Sequence, residues 1–333
     1  MLFDSKVNPV MFIAEVGSNH EGNFLEAKRL VKNASKSKAD VVKLQIFSAK
    51  NMVSKKYDTQ RYNHFKKLEL TKEQNFELFR IIKFYKKKTS ASVWDVDQIN
   101  IFKNYIDIFK IGSGDIHNFQ IIKRVIKTKK PLILSTGLCN LKDIKITVDF
   151  IKKIDPSYIY QKKLAILHCN TAYPTPFEDS NLGTINFLKE KFNLTIGYSD
   201  HTVGDKILFY SYLAGAKIIE KHFSNTISKK TFRDHAISLN KRLVDSFLKN
   251  LKRNSMCFGI KKSLSISEIE QKNLTSFRRS IYAKKNIKKG EKFTEKNIIC
   301  LRPFLTNSSM NYYELINKKS KKDYSDGEII WKK

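Results

Sequence analysis

Leu194-Thr195-Ile196-Gly197-Tyr198-Ser199-Asp200-His201 and Ala216-Lys217-Ile218-Ile219-Glu220-Lys221-His222-Phe223 are short apolar runs, each ending in polar residues and a histidine. Asp205 to Gly215, between them, reads as one short helix, so the stretch is a β-α-β unit. A helical crossover makes the two strands parallel, and as neighbours they bring their carboxyl ends side by side. His201 and His222 can then share one divalent ion, with Asp200 and Glu220 beside them. The competing reading is two unrelated histidines at strand ends.

The same alternation recurs on both sides of this unit. Met11 to Val16, Asp40 to Phe47, Ser90 to Trp94, Ile106 to Ile111, Pro131 to Leu134 and Leu164 to Cys169 read as strands. Phe24 to Lys38, Thr71 to Lys88, Val96 to Tyr105, Leu141 to Ile154, Gly183 to Phe192 and Asn240 to Arg253 read as helices, and a long loop carries Tyr57 and Tyr62. After the fourth strand only the turn Gly112-Ser113-Gly114-Asp115 is legible. Strands that are apolar throughout are buried on both faces. Eight β-α repeats over roughly 250 residues therefore predict a closed (β/α)8 TIM barrel, placed at residues 1–260. A doubly wound open sheet is the alternative, weakened because no Gly-x-Gly-x-x-Gly turn follows the first strand. Further on, Arg278-Arg279-Ser280-Ile281-Tyr282-Ala283, the turn Lys288-Lys289-Gly290-Glu291 and a one-turn helix opened by Thr294 predict a small second domain at 275–333, with 261–274 as linker.

The chain has 333 residues, with 63 Lys and Arg against 32 Asp and Glu, a formal charge of +31. Such a balance suits anionic partners. No helix-turn-helix, zinc-finger or RNP-type signature accompanies it, and much of the lysine lies on exposed helix faces such as Phe84-Tyr85-Lys86-Lys87-Lys88, so no nucleic-acid partner is expected. Cys139, Cys169, Cys257 and Cys300 are scattered without a Cys-x-x-Cys pair, which indicates neither a zinc knuckle nor a disulfide framework and makes a reducing cytoplasm the default location. The apolar stretch Val10 to Val16 is interrupted by Glu15, and no run approaches a membrane span; a soluble, unexported protein is expected.

In a barrel of this kind the strand carboxyl ends form the catalytic face. That face holds Glu15, Lys43, Gln45, Ser92, Lys110, Ser113, Ser135, Thr171, Tyr173, Ser199, His201, Glu220 and His222. Lys43 and Lys110 lie inside apolar strands, where an ammonium group needs a counter-charge. With the hydroxyls and the amides around Gly112-Ser113-Gly114 and Thr136-Gly137, they suit a ligand carrying phosphate and carboxylate. The histidine pair suits a metal that polarises a carbonyl. Each residue also has a plainer reading: the glycines as a turn, Tyr173 before Pro174 as a loop anchor, Glu15 as the buried ion-pair partner of a lysine.

At these residues the chain resembles the bacterial sialic acid synthases (N-acetylneuraminate, legionaminic and pseudaminic acid synthases). The likeness runs through Ala14-Glu15-Val16-Gly17 with Asn19-His20-Glu21-Gly22, Val42-Lys43-Leu44-Gln45, Phe109-Lys110-Ile111-Gly112-Ser113-Gly114, Ser135-Thr136-Gly137, Tyr173-Pro174-Thr175-Pro176, Gly197-Tyr198-Ser199-Asp200-His201-Thr202 and Glu220-Lys221-His222-Phe223. Arg302-Pro303 and the segments around it resemble that family's small antifreeze-like (SAF) domain. The resemblance implies condensation of phosphoenolpyruvate with an open-chain N-acylated mannosamine-type sugar, giving a nine-carbon 2-keto sugar acid and phosphate. It implies His201 and His222 as ligands of Mn2+, or of Mg2+ or Co2+, and a phosphoenolpyruvate cradle of Lys43, Ser92, Lys110, Ser113, Ser135 and Ser199. Glu15, Gln45, Tyr173 and Asp234 would face the sugar, Glu220 would hold a metal-bound water, and Arg302 would reach the other protomer of a homodimer with exchanged small domains.

The chain departs from the family at Ala91-Ser92-Val93-Trp94 (usually Ser-Thr-Pro-Phe), at Phe232-Arg233-Asp234-His235 (usually Gly-Pro-Asp-His), at Thr171 (asparagine in some members) and at Phe304 after Arg302-Pro303 (usually glycine). These changes gather on the sugar side and leave the identity of the sugar open. Two readings of another class stand beside the synthase: a metal-dependent pyruvate aldolase acting on sugar acids, and a non-catalytic basic binding protein.

Overall fold

The computed structural model describes residues 2–226, 232–258 and 264–330. The chain divides into two compact units, Met1–Gly259 and Ile260–Lys333. In the first, eight parallel strands close into a barrel: β1 (Met11–Glu15), β2 (Val41–Ile46), β3 (Lys88–Val93), β4 (Ile108–Ile111), β5 (Leu132–Ser135), β6 (Leu164–Cys169), β7 (Thr195–Asp200) and β8 (Ile218–His222). The barrel closes where β1 pairs with β8, setting Glu15 opposite His222; on its other side β1 sets Glu15 opposite Lys43.

Side chains alternate between the two faces of each strand, so every second residue points into the barrel. Its lower interior is hydrocarbon, with Met11, Ile13, Val41, Ile108, Ile133, Ala165, Leu167 and Ile218 packed against Phe3. One step further along the same inward positions the chemistry changes. Ile13 is followed by Glu15, Val41 by Lys43 and Gln45, Ile108 by Lys110, Ile133 by Ser135, and Ile218 by Glu220 and His222. The outward positions, such as Phe12, Val42, Phe109, Leu134, Ile166 and Ile219, join a second core beneath the helices. Gly197 is required where β7 meets β8, since a Cβ there would come within 2.4 Å of the Ile218 carbonyl oxygen.

The helices differ from the sequence reading in several places. Phe119–Lys127 is a helix absent from that reading; Asn118 caps it through Ile121 N–H, and Ile121, Ile122, Val125 and Ile126 are buried. Its apolar spacing is visible in the sequence, but the cap follows directly on the turn Ser113–Asp115, and the two read as one loop. The expected loop around Tyr57 and Tyr62 contains the helices Ala49–Met52 and Thr59–Leu68. Only Leu68 of the second is buried, so it carries no apolar stripe for periodicity to detect. The helix opened by the Thr71 capping box stops at Phe84, and the left-handed backbone at Lys86, φ 56°, turns the chain into β3. Thr294 begins a turn, not a helix, its N–H donating to Asn297 Oδ1 at 2.7 Å.

The second unit pairs β9 (Ser280–Ala283) with β10 (Ile298–Leu301) antiparallel over a core of Ile281, Ala283, Ile287, Phe293, Ile298, Tyr324 and Ile330. A helix, Glu268–Phe277, with a Ser267 and Glu270 capping box, occupies much of the stretch expected as linker; residues 259–263 lie outside the described residues.

Candidate active site

The strand carboxyl ends open into a cavity of about 1230 Å³. Its lining includes Glu15, Lys43, Gln45, Ser92, Lys110, Ser113, Ser135, Thr171, Tyr173, Ser199, His201, Glu220, His222 and Asp234. The strand-end residues named from sequence thus converge on one space, because the inward register of seven strands continues into it.

At the floor lie four charges in contact. Lys43 Nζ is 2.8 Å from Glu15 Oε2 and 3.2 Å from Glu220 Oε2. Lys110 Nζ is 3.0 Å from Glu220 Oε1, which also accepts from Ser199 Oγ at 2.9 Å. All four are buried, so the cluster is neutral as a set and each member depends on the others. Burial alone would raise the Glu15 pKa, yet Lys43, then His222 and Lys110, hold it far below the usual carboxylate range. Lys43 responds oppositely to its burial, since Glu15 and Glu220 raise its pKa. For Lys110 burial prevails: its pKa is lowered despite Glu220, with Lys43 adding like-charge repulsion. The ion-pair reading of Glu15 therefore holds alongside its place in the cavity wall.

Gln45 orients Glu15, its Nε2 donating to Oε1 at 2.7 Å while Ser18 Oγ donates to Gln45 Oε1 at 3.1 Å. Gly137 N–H donates to Ser113 Oγ at 3.1 Å, joining the turns after β4 and β5. A Cβ at Gly137 would lie 2.6 Å from Thr171 Cγ2 and 2.8 Å from Ser113 Oγ, so glycine is needed for the close approach. Ser135 Oγ is buried without a hydrogen-bond partner, an inward hydroxyl left for a ligand.

His201 and His222 approach within 5.5 Å between ring centroids. Tyr173 stacks on His201 at 4.0 Å, and the guanidinium carbon of Arg233 lies 4.5 Å from the centre of the Tyr173 ring. His201 Nδ1 is 2.5 Å from the Asn170 carbonyl oxygen, a contact that requires the proton on Nδ1 and leaves the Nε2 lone pair free. Burial, reinforced by His222, pushes the His201 pKa down to about 3, so its imidazole is neutral at pH 7. His222 Nδ1 is buried with no hydrogen bond and lies 3.8 Å from Asp234 Oδ2. Two imidazole donors, one of them orphaned, fit a divalent ion. Among the described residues no group of three or more His, Cys, Asp or Glu could hold one, so the fit is to an open site completed by water or substrate oxygens.

Asp234 is placed by its neighbours: His235 lies 3.0 Å from Glu21 Oε1 and 2.7 Å from Ser224 Oγ, and Ser238 Oγ donates to the Asp234 carbonyl at 2.6 Å. Sequence reasoning missed the cavity mouth. Asp58, Arg61, His64 and Phe65 line it from the unexpected helix Thr59–Leu68 and its cap, joined by Trp94, Phe232 and Arg233. The departures at Trp94 and at Phe232-Arg233 were the available signal for part of it. Arg302 belongs to the second unit, where its Nε donates to the Phe277 carbonyl at 2.9 Å and its guanidinium lies over the Phe277 ring.

The NeuB family model matches residues 30–263, and the SAF domain model matches residues 278–333. The chain belongs to the NeuB family. The N,N'-diacetyllegionaminic acid synthase of Campylobacter jejuni (serotype O:2) is 36% identical over 336 residues, covering 96% of this chain and 98% of the relative. A pseudaminic acid synthase of C. jejuni (serotype O:23/36) is 31% identical, covering 96% and 95%. The solved N-acetylneuraminic acid synthetase of Leptospira borgpetersenii superposes with a TM-score of 0.72 at 29% identity, over 80% of this chain and 90% of that one. This NeuB-family chain is thus an enzyme of the sialic acid synthase type, a (β/α)8 barrel followed by a SAF domain, and the basic-binding-protein reading falls away. No described helix is long and apolar enough to cross a membrane.

Proposed function

We propose that this enzyme condenses phosphoenolpyruvate with an N-acylated mannosamine-type sugar in its open aldehyde form, giving a nine-carbon 2-keto sugar acid and orthophosphate. The observation that supports this most is the buried cluster in which two ammonium groups, Lys43 and Lys110, converge on Glu220 at the cavity floor. Two buried cations beside the hydroxyls of Ser92, Ser113, Ser135 and Ser199 suit a small ligand with separate phosphate and carboxylate groups. Glu15, Gln45, Tyr173, Asp234 and Thr171 are assigned to the surrounding wall, with the first four toward the sugar.

His201 and His222 would hold a divalent ion, Mn2+ foremost and Mg2+ or Co2+ as alternatives, whose chemistry is to polarise an aldehyde oxygen. The chain's own residues do the rest. Lys43 and Lys110 donate hydrogen bonds to the anionic reactant and orient it, so that its C3 faces the aldehyde carbon. The C3–C1 bond forms as the aldehyde double bond opens to an alkoxide, water adds at C2, and the C2–O bond to phosphate breaks as the C2 hydroxyl becomes the keto group; one proton of the water ends on the alkoxide and the other on the phosphate. Glu220, within hydrogen-bond reach of Lys110 and Ser199, is assigned the proton of the attacking water, which leaves with the phosphate. Arg302 is assigned to the acyl group of the sugar in the partner protomer of a homodimer.

The deciding experiment incubates the enzyme with phosphoenolpyruvate, Mn2+ and a panel of N-acetylated hexosamines and their 6-deoxy relatives. Products are read by mass spectrometry and orthophosphate by colorimetry. A nine-carbon keto acid with one equivalent of orthophosphate is expected. No orthophosphate here, together with cleavage of a nine-carbon keto acid to pyruvate in a parallel incubation, would establish the aldolase instead.

A further inference from the structure

Directly behind the two histidines lies a second buried ion pair that takes no part in the cavity wall. Asp200 precedes His201 and Lys221 precedes His222, and the register of β7 and β8 sets Asp200 opposite Lys221, just as Ser199 stands opposite Glu220. Alternation sends Ser199 and Glu220 inward and turns Asp200 and Lys221 outward beneath the helices. Both side chains are fully buried, and Lys221 Nζ is 2.5 Å from Asp200 Oδ2.

The pair also seizes the chain just past His201. Thr202 N–H donates to Asp200 Oδ1 at 3.1 Å and Thr202 Oγ1 donates to Asp200 Oδ2 at 3.1 Å. Lys221 Nζ donates to the Thr202 carbonyl at 2.6 Å. One carboxylate and one ammonium therefore hold both backbone groups of Thr202, fix the direction in which the chain leaves His201, and tie it to the residue before His222. A hydrophobic pair of equal volume would fill this space with less desolvation cost. The ionic pair adds directionality across two strand ends, at the one place where a register slip would send a histidine to the outer face.

We infer that Asp200 and Lys221 are positioning residues for the metal site: their buried pair locks the ends of β7 and β8 so that His201 and His222 present their free nitrogens to the same point. The inference rests on the metal reading given above. It concerns residues that touch neither substrate nor ion, as outer partners of metal-binding histidines do.

The test titrates Mn2+ into the whole enzyme and follows the electron paramagnetic resonance signal of the free ion, alongside thermal melts and separate KM and kcat measurements. The double variant Asp200→Asn/Lys221→Met keeps the space filled and leaves no buried charge. It should fold, bind Mn2+ roughly 10–100-fold more weakly, and lose kcat at subsaturating metal while its KM for phosphoenolpyruvate stays within about twofold, because the Lys43 and Lys110 cluster is untouched. A folded double variant with wild-type Mn2+ affinity would overturn the inference and leave the pair a purely structural one. Should that variant not fold, Lys221→Arg preserves the charge but changes its reach; weakened Mn2+ binding by this folded enzyme supports the lock, and unchanged binding overturns it. Absence of Mn2+ binding by the wild-type enzyme would overturn the metal assignment itself, and the lock with it.

Discussion

Replacing Lys43 by Met tests whether the cavity floor is one neutral electrostatic unit. Glu15 and Glu220 carry two negative charges, Lys43 and Lys110 two positive, and all four are buried. Lys43→Met leaves the set at −1, with Glu15 deprived of its 2.8 Å partner; Glu15→Gln leaves it at +1. Removing one member of a buried pair costs about 3–5 kcal/mol, because the survivor stays desolvated. The double variant returns to neutrality, with Lys110 still on Glu220 and the introduced amide oxygen still able to accept from Gln45. Its loss should fall short of the summed single losses by at least about 2 kcal/mol, well beyond the ~0.5 kcal/mol within which independent sites add. Urea unfolding of the four proteins at pH 7.5 without ligand gives the cycle. Additivity within about 0.5 kcal/mol would refute the coupled cluster. In turnover, Lys43→Met should raise the KM for phosphoenolpyruvate far more than that for the sugar; the reverse would exchange the two sides of the cavity.

Three further outcomes are expected. Chelation of the metal, or His222→Ala, should abolish activity while leaving the barrel folded, since its core lies among Ile13, Val41, Ile133 and Ile218 and not at the histidines; full turnover with a demonstrably empty site would remove the metal from the mechanism. Mixing Arg302→Ala with His222→Ala chains after unfolding, or by co-expression, should restore roughly a quarter of the sites if the arginine acts across a two-fold dimer, whereas a mixture as inactive as its parents would place it within its own chain. Stability should fall as pH drops below 6.5, because burial lowers His201 to about 3 and His20 to about 4 in the folded state, so the unfolded chain binds both protons first. Each such group adds up to about 1.4 kcal/mol per pH unit, so the slope should be shallower by about that much in His20→Asn; denaturant midpoints between pH 7.5 and 5 that do not move would contradict the buried neutral imidazoles.

The local alphabet of the barrel was legible because it is written in short-range physics. Inward positions change from Ile13 to Glu15, from Ile108 to Lys110 and from Ile218 to Glu220 along single strands, and a lysine in an apolar run announces a counter-charge without naming it. The repeat of strand and helix and the capping residues Thr71 and Asn240 likewise need only neighbours in sequence to be interpreted, whereas the need for glycine at 197 appears only where β7 meets β8. What sequence could not determine depends on closure. Glu15 meets His222 only because β1 pairs with β8, the far end of the barrel in chain order, and Glu220 meets both lysines only across the barrel interior. The helix Thr59–Leu68 escaped detection for the complementary reason: it buries almost nothing, so no hydrophobic period marks it, and its Arg61, His64 and Phe65 gain significance only where the folded chain brings them to the cavity mouth. Residue type and periodicity determine which groups point inward; which charge neutralises which is decided by the closed sheet, since Coulomb energy in a buried site depends on distances that only tertiary structure sets.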